Sequence, residues 1–377
     1  LYVSIITETK KIMKFTEKEL IEEADQRLRQ ALDKVPFIEI GATRFEQPER
    51  FEQPENQPTL FRPDMLMQIS TPDGPEALVV EVKNTITPKA AREASRELAS
   101  MASMMPACYG VLIAPFISER TAEICKEAGV GYLDLAGNLG LFFNRVYLEI
   151  QGRPNRFRKD QELKSLFSPK SSRVIRVLLE NPGRSWKLQD LAKVSELSTG
   201  MVSNIKSRLE DEDLLRKEPS GFKLTDPERL LRKWSNKYNL RKNRWSDYYL
   251  AADVSEIERR IASDLDDLNQ RYAFTLFSAA NKIAAYSRYN RVFLYVDGDQ
   301  SELMGRLGLK QVDSGPNITL LEPYDEGVFY GGETKAGLSV VGMVQLYLDL
   351  VSYRGRGEEA ARFLLDNELR KKWQKNI

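Results

Sequence analysis

SSRVIRVLLENPGRSWKLQDLAKVSELSTGMVSNIKSRLEDEDLLRKEPSGFKL, residues 171–224, sets the plan of the whole chain. Ser171 and Ser172 are good caps for a helix over 173–180, whose apolar face is Val174, Val177 and Leu178. Asn181-Pro182-Gly183 ends it. Trp186 and Leu188 lead into a second short helix with Leu191 and Ala192 inward. A tight turn comes next at 195–198, and Thr199 is placed to cap a third helix with Val202, Ile205 and Leu209 on one face. The opposite face carries Gly200, Ser203, Asn204 and Ser207, with Lys206 and Arg208 beside it. A small, polar, basic-edged helix face suits entry into a major groove about 12 Å wide. Leu214-Leu215-Arg216-Lys217 and Phe222-Lys223-Leu224, joined by Glu218-Pro219-Ser220-Gly221, read as a hairpin. The DNA contacts expected from this pattern are Thr199, Ser203, Asn204, Lys206, Ser207 and Arg208 on the helix, and Arg216, Lys217 and Lys223 on the hairpin. The same three-helix core also serves in protein–protein modules, and the order of elements with the hairpin favours DNA.

Charge singles out the same region. Residues 1–150 carry 17 Lys/Arg against 23 Asp/Glu, residues 151–246 carry 23 against 12, and residues 247–377 carry 16 against 20. A chain of net charge +1 therefore holds one strongly positive segment between two negative ones, the footprint of a polyanion-binding module. This middle stretch resembles the winged helix-turn-helix domains of bacterial regulators of the MarR type. The resemblance covers about 60 residues, which we set at 171–228, after a basic linker at 151–170. It implies double-stranded DNA as partner and a homodimer on a palindromic site. Residues 229–246 then form a basic, acid-free tail with Trp234, Tyr238 and Trp245 interleaved. Those rings either stack on bases or dock the segment on the protein, and docking is the favoured reading.

Composition bounds the rest. With 377 residues, 42% hydrophobic and 29% charged, the chain suits two or three globular domains. No apolar run approaches the ~18 residues of a membrane helix. Lys10, Lys11 and Lys14 precede no apolar stretch, so no secretion signal is expected. Two cysteines, Cys108 and Cys125, imply a reducing, cytoplasmic setting. The absence of histidine removes Ser-His and Cys-His nucleophiles and histidine metal sites. There is no phosphate-binding Gly-x-x-x-x-Gly-Lys-Ser/Thr loop, and two cysteines cannot make a four-sulfur zinc site. Chemistry is left to carboxylates, lysines, hydroxyls and a hard metal ion.

Residues 1–150 read as helix, antiparallel strands, helix, strand, helix and strand. Leu20, Ala24, Leu28 and Leu32 line one face of the first helix. A tandem repeat, Phe45-Glu46-Gln47-Pro48-Glu49 and Phe51-Glu52-Gln53-Pro54-Glu55, is expected to be loop. Residues 61–69 and 77–83 form two strands around the turn Thr71-Pro72-Asp73-Gly74. Glu81 and Lys83 are two apart on a strand and so share a face, and the hairpin brings Asp64 alongside. Two carboxylates can hold Mg²⁺ or Mn²⁺, which activates water and offsets phosphate charge. Lys83 orients or deprotonates that water, or neutralises developing charge. Pro63-Asp64 and Glu81-Val82-Lys83 in this context are similar to the PD-(D/E)XK nuclease family. The resemblance covers most of 15–150 and implies a restriction-endonuclease-like α/β domain. It implies Asp64, Glu81 and Lys83 as catalytic residues and a metal held by Asp64, Glu81 and an acid of the first helix, Glu23 or Glu19. Three readings stand: an active nuclease, a silent fold kept for binding, or a surface ion pair. Asp134 either joins this site or hydrogen-bonds the turn at Ala136-Gly137-Asn138, the latter being favoured.

Residues 247–377 alternate helix and strand and form an α/β domain. Asp297-Gly298-Asp299 comes after a strand, and a turn with Asp299 capping a helix is favoured over a metal site. Leu320-Leu321-Glu322-Pro323-Tyr324, residues 344–350, and Arg356-Gly357-Glu358-Glu359-Ala360-Ala361 make this end resemble the C-terminal domain of AbiEi-type antitoxins. That resemblance implies a transcriptional repressor paired with a nucleotidyltransferase-type toxin in a phage-defence locus. Two functions are open: a metal-dependent DNA endonuclease targeted by the winged helix, or an antitoxin and repressor with a silent nuclease fold.

Overall fold

The computed structural model describes residues 15–45, 49–51, 59–105, 107–155, 157, 166–284, 288–353 and 355–376. They fall into two compact units, residues 1–160 and 161–377.

The first unit is a seven-stranded mixed sheet between two helical layers. In chain order it holds α1 (Glu17–Leu32), β1 (Glu39–Phe45), β2 (Glu49–Phe51), β3 (Thr59–Phe61), β4 (Met65–Thr71), β5 (Gly74–Val82) and α2 (Pro88–Met104). Then come β6 (Cys108–Ala114), α3 (Glu119–Glu127), β7 (Gly131–Asp134), β8 (Leu139–Phe143) and β9 (Val146–Ile150). The sheet order is β1-β4-β5-β6-β7-β8-β9, with β5, β6 and β7 parallel and the other pairs antiparallel. Strand alternation sorts the core. Met65, Met67, Leu78 and Val80 meet Ala24, Leu28 and Leu32 of α1 on one face. Val79, Leu112 and Tyr132 meet Ala91, Ala94 and Leu98 of α2 and Ile124 of α3 on the other. The tandem-repeat region is not all loop, since β2 pairs antiparallel with β3. Residues 46–48 and 52–58 lie outside the described residues.

The second unit opens with α4 (Pro169–Glu180), α5 (Leu188–Ser195), α6 (Thr199–Asp211), β10 (Leu215–Glu218), β11 (Gly221–Leu224) and α7 (Pro227–Ser235). A 3-10 turn at Leu240–Lys242 leads to β12 (Arg244–Tyr249), α8 (Val254–Asp267), β13 (Tyr272–Phe274), α9 (Leu276–Ala284), β14 (Val292–Val296) and α10 (Ser301–Leu307). The chain continues through β15 (Lys310–Gln311), β16 (Ile318–Glu322), β17 (Glu333–Lys335), β18 (Leu338–Val340), α11 (Met343–Ser352) and α12 (Gly357–Leu364). A π-helical turn at Leu365–Leu369 joins α12 to α13 (Arg370–Asn376). The sheet order is β15-β12-β16-β14-β13-β18-β17.

Three expectations change here. The first helix of the three-helix group starts earlier, at Pro169 after Ser168, so Ser171 and Ser172 are buried inside it rather than capping it. Ser198, not Thr199, caps α6, accepting from the Met201 amide. The basic stretch 229–246 is not a tail, because it supplies most of α7, the 3-10 turn and the start of β12, which pairs with β15 and β16. One continuous core runs from Val174 and Leu209 to Leu346 and Leu364, so the helical group and the sheet beyond it are a single packed body.

The helix α4 is the pivot of that body. Every residue from Val174 to Glu180 is buried, including Arg176 and Glu180. Several of its polar groups are met by residues more than 140 positions away. Arg173 makes a bidentate pair with Asp325 at 3.0 and 2.9 Å. Glu180 accepts from the Val344 amide at 3.0 Å and from Lys372 Nζ at 2.6 Å. The Trp373 indole donates to the Leu179 carbonyl at 2.9 Å.

Beneath Arg176 lies a buried polar network. Arg176 Nη2 donates to Gln345 Oε1 at 2.6 Å, and Gln345 Nε2 donates to Asp349 Oδ1 at 2.7 Å. Asp349 also accepts from the Tyr238, Tyr295 and Thr275 hydroxyls at 2.6, 3.0 and 2.5 Å. Burial pushes the Asp349 carboxyl up to about 6 despite these donors, Thr275 foremost. The guanidinium of Arg176 stacks over Trp234, 4.9 Å from the ring centroid, and Trp234 lies parallel to Phe167. Tyr238 and Trp245 face inward as well, Trp245 edge-on to Phe293. The aromatic rings of 229–246 therefore dock the chain on itself.

Candidate functional site

In the first unit, the β4–β5 register pairs Met65 with Val80, which sets Asp64 opposite Glu81 across the hairpin. Asp64 Oδ2 accepts from the Val82 amide at 2.7 Å, fixing that carboxylate against β5. Glu81 and Lys83 have the same parity as Val79, whose side chain faces α2. They form a close, half-buried ion pair with each other. Burial raises the Glu81 carboxyl, the Lys83 hydrogen bond opposes this, and the nearby charges of Asp64 and Glu97 add to the rise. Burial pulls Lys83 the other way, but the bond and charge of Glu81, with Asp64 and Glu97, outweigh it and hold the ammonium above its usual value. Lys83 is thus a fixed cation at neutral pH rather than a base.

Glu97 is a neighbour that the sequence does not single out. It lies on α2, and the signal for it is weak, because Glu93, one turn earlier on the same helix face, is an equal candidate in sequence. Glu23 is not part of this group. It sits on α1, which covers the opposite face of the sheet, and it pairs with Arg27 at 2.8 Å. Glu19 is spent on the capping box with Thr16. Among the described residues there is no group of three His, Cys, Asp or Glu side chains able to hold a metal ion. Asp64 and Glu81 alone fit a hard cation that keeps most of its waters, since Mg²⁺ needs only one or two carboxylates. Asp134 is occupied elsewhere. Fully buried, it accepts from the Ile117 amide and from the Asn138 backbone and side chain, at 2.7 to 3.0 Å.

The second unit presents a different surface. Thr199, Gly200, Ser203, Asn204, Ser207 and Arg208 are exposed along α6, while Val202, Ile205 and Leu209 are buried beneath them. Lys206 is only half-exposed. It pairs with Glu210 and lies over the Phe222 ring, so its charge is partly spent. On the hairpin, Arg216 stands opposite Lys223, and Arg216 pairs with Glu218 at 3.1 Å. The hairpin is widened by a bridge between Trp186 and Phe222, with paired bonds of 2.8 and 3.0 Å. Gly221 is required there, since its φ is +146° and an added Cβ would stand 2.1 Å from the Trp186 carbonyl oxygen. Near the chain's other charged motif, Asp299 accepts from Ser301 in a turn before α10.

Among the described residues, no helix is long and apolar enough to cross a membrane. No curated protein matches the chain. One solved structure, the crystal structure of a repair endonuclease from Pyrococcus abyssi, aligns at 18% identity over 33% of this chain and 49% of its own, so the match spans about half of that protein. Its TM-score of 0.20 is too low to assign a shared fold. Residues 223–370, less than half of the chain, match the AbiEi antitoxin family of transcriptional regulators from type IV toxin–antitoxin systems. The match begins inside β11, ahead of the boundary at 247 drawn from sequence, and takes in the basic 229–246 stretch. From the hairpin's second strand to the start of α13, the chain is therefore similar to an AbiEi-type antitoxin domain.

Proposed function

We propose that the protein is a DNA-binding transcriptional regulator of the antitoxin type, reading double-stranded DNA with α6 and gripping phosphates with the β10–β11 hairpin. The observation that carries this is the continuity of the AbiEi-type region with an exposed, small, polar α6 face. Three helices and a hairpin are the parts of a winged helix-turn-helix, in which the last of the three helices enters the major groove. Ser203, Asn204 and Ser207 are the base-edge readers, and Thr199, Arg208, Lys217 and Lys223 are the phosphate contacts. A toxin encoded beside it, of the nucleotidyltransferase type, is the cognate partner, and the regulator acts as a homodimer on a paired site. The test is binding to the DNA upstream of its own gene by fluorescence anisotropy. Asn204→Asp, which places a negative charge on the reading face, is expected to weaken binding by at least about tenfold. Lys217→Ala with Lys223→Ala is expected to flatten the salt dependence by about two charges. Binding that ignores all three changes sinks the assignment of α6 and the hairpin.

A second reading has its own observation: Asp64, Glu81 and Lys83 share one face of the first unit, with Glu97 beside them. We infer a metal-dependent phosphodiesterase there, Asp64 and Glu81 holding Mg²⁺ or Mn²⁺. The metal supplies an activated water and charge for the phosphate. Lys83, held cationic, neutralises the developing negative charge. Supercoiled plasmid with Mn²⁺ is nicked by the wild type and not by Asp64→Ala if this holds. Equal nicking by both, or none by either with upstream DNA present, leaves the first unit as a silent fold.

A further inference from the structure

A cleft of about 370 Å³ opens in the second unit among α7, α11, α12 and the π-helical turn. That volume lies within the range of small-molecule sites. Its floor is apolar, made by Tyr347, Val351 and Leu365. Tyr347 is the informative residue. It is only 8% exposed, and its hydroxyl has no hydrogen-bond partner among the described residues. Its ring is buried, but the hydroxyl is not enclosed and meets solvent, so it is free to bond a ligand. Burial raises the phenol, and the charges of Arg232, Glu228, Arg370 and Asp366 act on it with opposing signs.

The cations around it are not equally committed. Arg370 is held by Glu228 at 2.9 and 2.7 Å and also bonds Asp366. Arg232 gives Glu228 one bond at 2.6 Å and keeps its other donors. Arg362 lines the cleft, is exposed, and has no partner among the described residues. Glu358, also lining it, is exposed and unpaired among the same residues. A free guanidinium, a second with donors to spare and a phenol make a binding set for an oxyanion, and planar forks favour phosphate. A free carboxylate nearby recognises hydroxyl or amino donors. Leu365 and Asp366 reach the cleft because the π-turn inserts a residue into the helix and re-aims the next turn, a device common at functional sites.

We propose that this cleft binds a small phosphate monoester bearing hydroxyl or amino groups, of nucleoside-monophosphate size. The phosphate sits between Arg232 and Arg362 and accepts from the Tyr347 hydroxyl. Glu358 accepts from the donors of the ligand's body, which lies on Val351 and Leu365. The site is independent of DNA binding and of the Asp64 site, so it stands if either of those readings fails.

The experiment is isothermal titration of the full chain, without DNA, with four nucleoside monophosphates, a hexose phosphate and inorganic phosphate. At least one ester is expected to bind saturably, and inorganic phosphate at least tenfold more weakly. Tyr347→Phe, which keeps the ring and the packing, and Arg362→Ala, on the surface, are each expected to weaken that ester tenfold or more. Circular dichroism melts of both variants should match the wild type, so lost binding is not lost folding. No saturable ester binding overturns the proposal, as does binding that both variants retain. Equal affinity for inorganic phosphate overturns the role given to Glu358 and the apolar floor.

Discussion

Replacing Asp349 by asparagine should remove one acid-favouring component from the second unit's response to pH. Asp349 is fully buried, and its carboxyl is raised from 3.8 to about 6. The folded state therefore holds the proton more tightly than the unfolded chain, and its contribution to stability is greatest in acid and falls as pH rises through that interval. A shift of this size corresponds to about 3 kcal/mol over the full titration. Roughly half of it falls between about pH 5 and pH 8, or some 1–2 kcal/mol. Asparagine keeps an oxygen for Tyr238 and Tyr295 and cannot titrate. Its amide meets Thr275, whose hydroxyl can turn to accept. All four tryptophans, Trp186, Trp234, Trp245 and Trp373, lie in this unit, so urea unfolding followed by tryptophan fluorescence reports on it alone. Relative to Asp349→Asn, the wild type should lose about 1–2 kcal/mol between about pH 5 and pH 8. Parallel stability curves for the two proteins would refute a buried, proton-holding Asp349. Asp349→Leu is the contrast. It strands four donors and should cost at least about 3 kcal/mol at any pH.

Other perturbations are simpler. Gly221→Ala puts a methyl group against the Trp186 carbonyl and forces a conformation that alanine resists, so a loss of about 2 kcal/mol or more is expected in the same urea assay. Glu180→Leu removes the acceptor for the Val344 amide and for Lys372 and should cost about 2–3 kcal/mol, whereas Glu180→Gln, which still accepts from the amide, should cost less.

The parts readable from sequence are those set by local period. The alternation of residues 64–83 around Thr71-Pro72-Asp73-Gly74 places Asp64, Glu81 and Lys83 on one hairpin, and the 3.6 period of α6 separates Ser203, Asn204 and Ser207 from its buried face. The interleaved aromatics at 234, 238 and 245 dock inward, as expected. Long-range pairings are another matter. Arg176 looks like a surface residue until Gln345 and Trp234 are brought to it across up to 169 positions. The continuous apolar run Leu139-Gly140-Leu141-Phe142-Phe143 has no alternation to mark it, so β8 and β9 emerge only in the fold. Glu23 looks like a metal ligand because nothing in sequence tells which face of the sheet α1 will cover. The domain boundary at 247 fails for a related reason: a basic stretch reads as an exposed arm, yet Trp234, Tyr238 and Trp245 make it part of the core.

The burial of α4 from Val174 to Glu180 bears on how this protein could be rewired. Modular DNA-reading heads are usually exchanged whole, from first helix to hairpin. Here α4 is the keel of the antitoxin-like body, tied to Asp325, Val344, Gln345 and Lys372. A chimera that transplants a foreign specificity should be spliced after Asn181, keeping the native first helix, while one spliced before Pro169 would discard the centre of its host's own core.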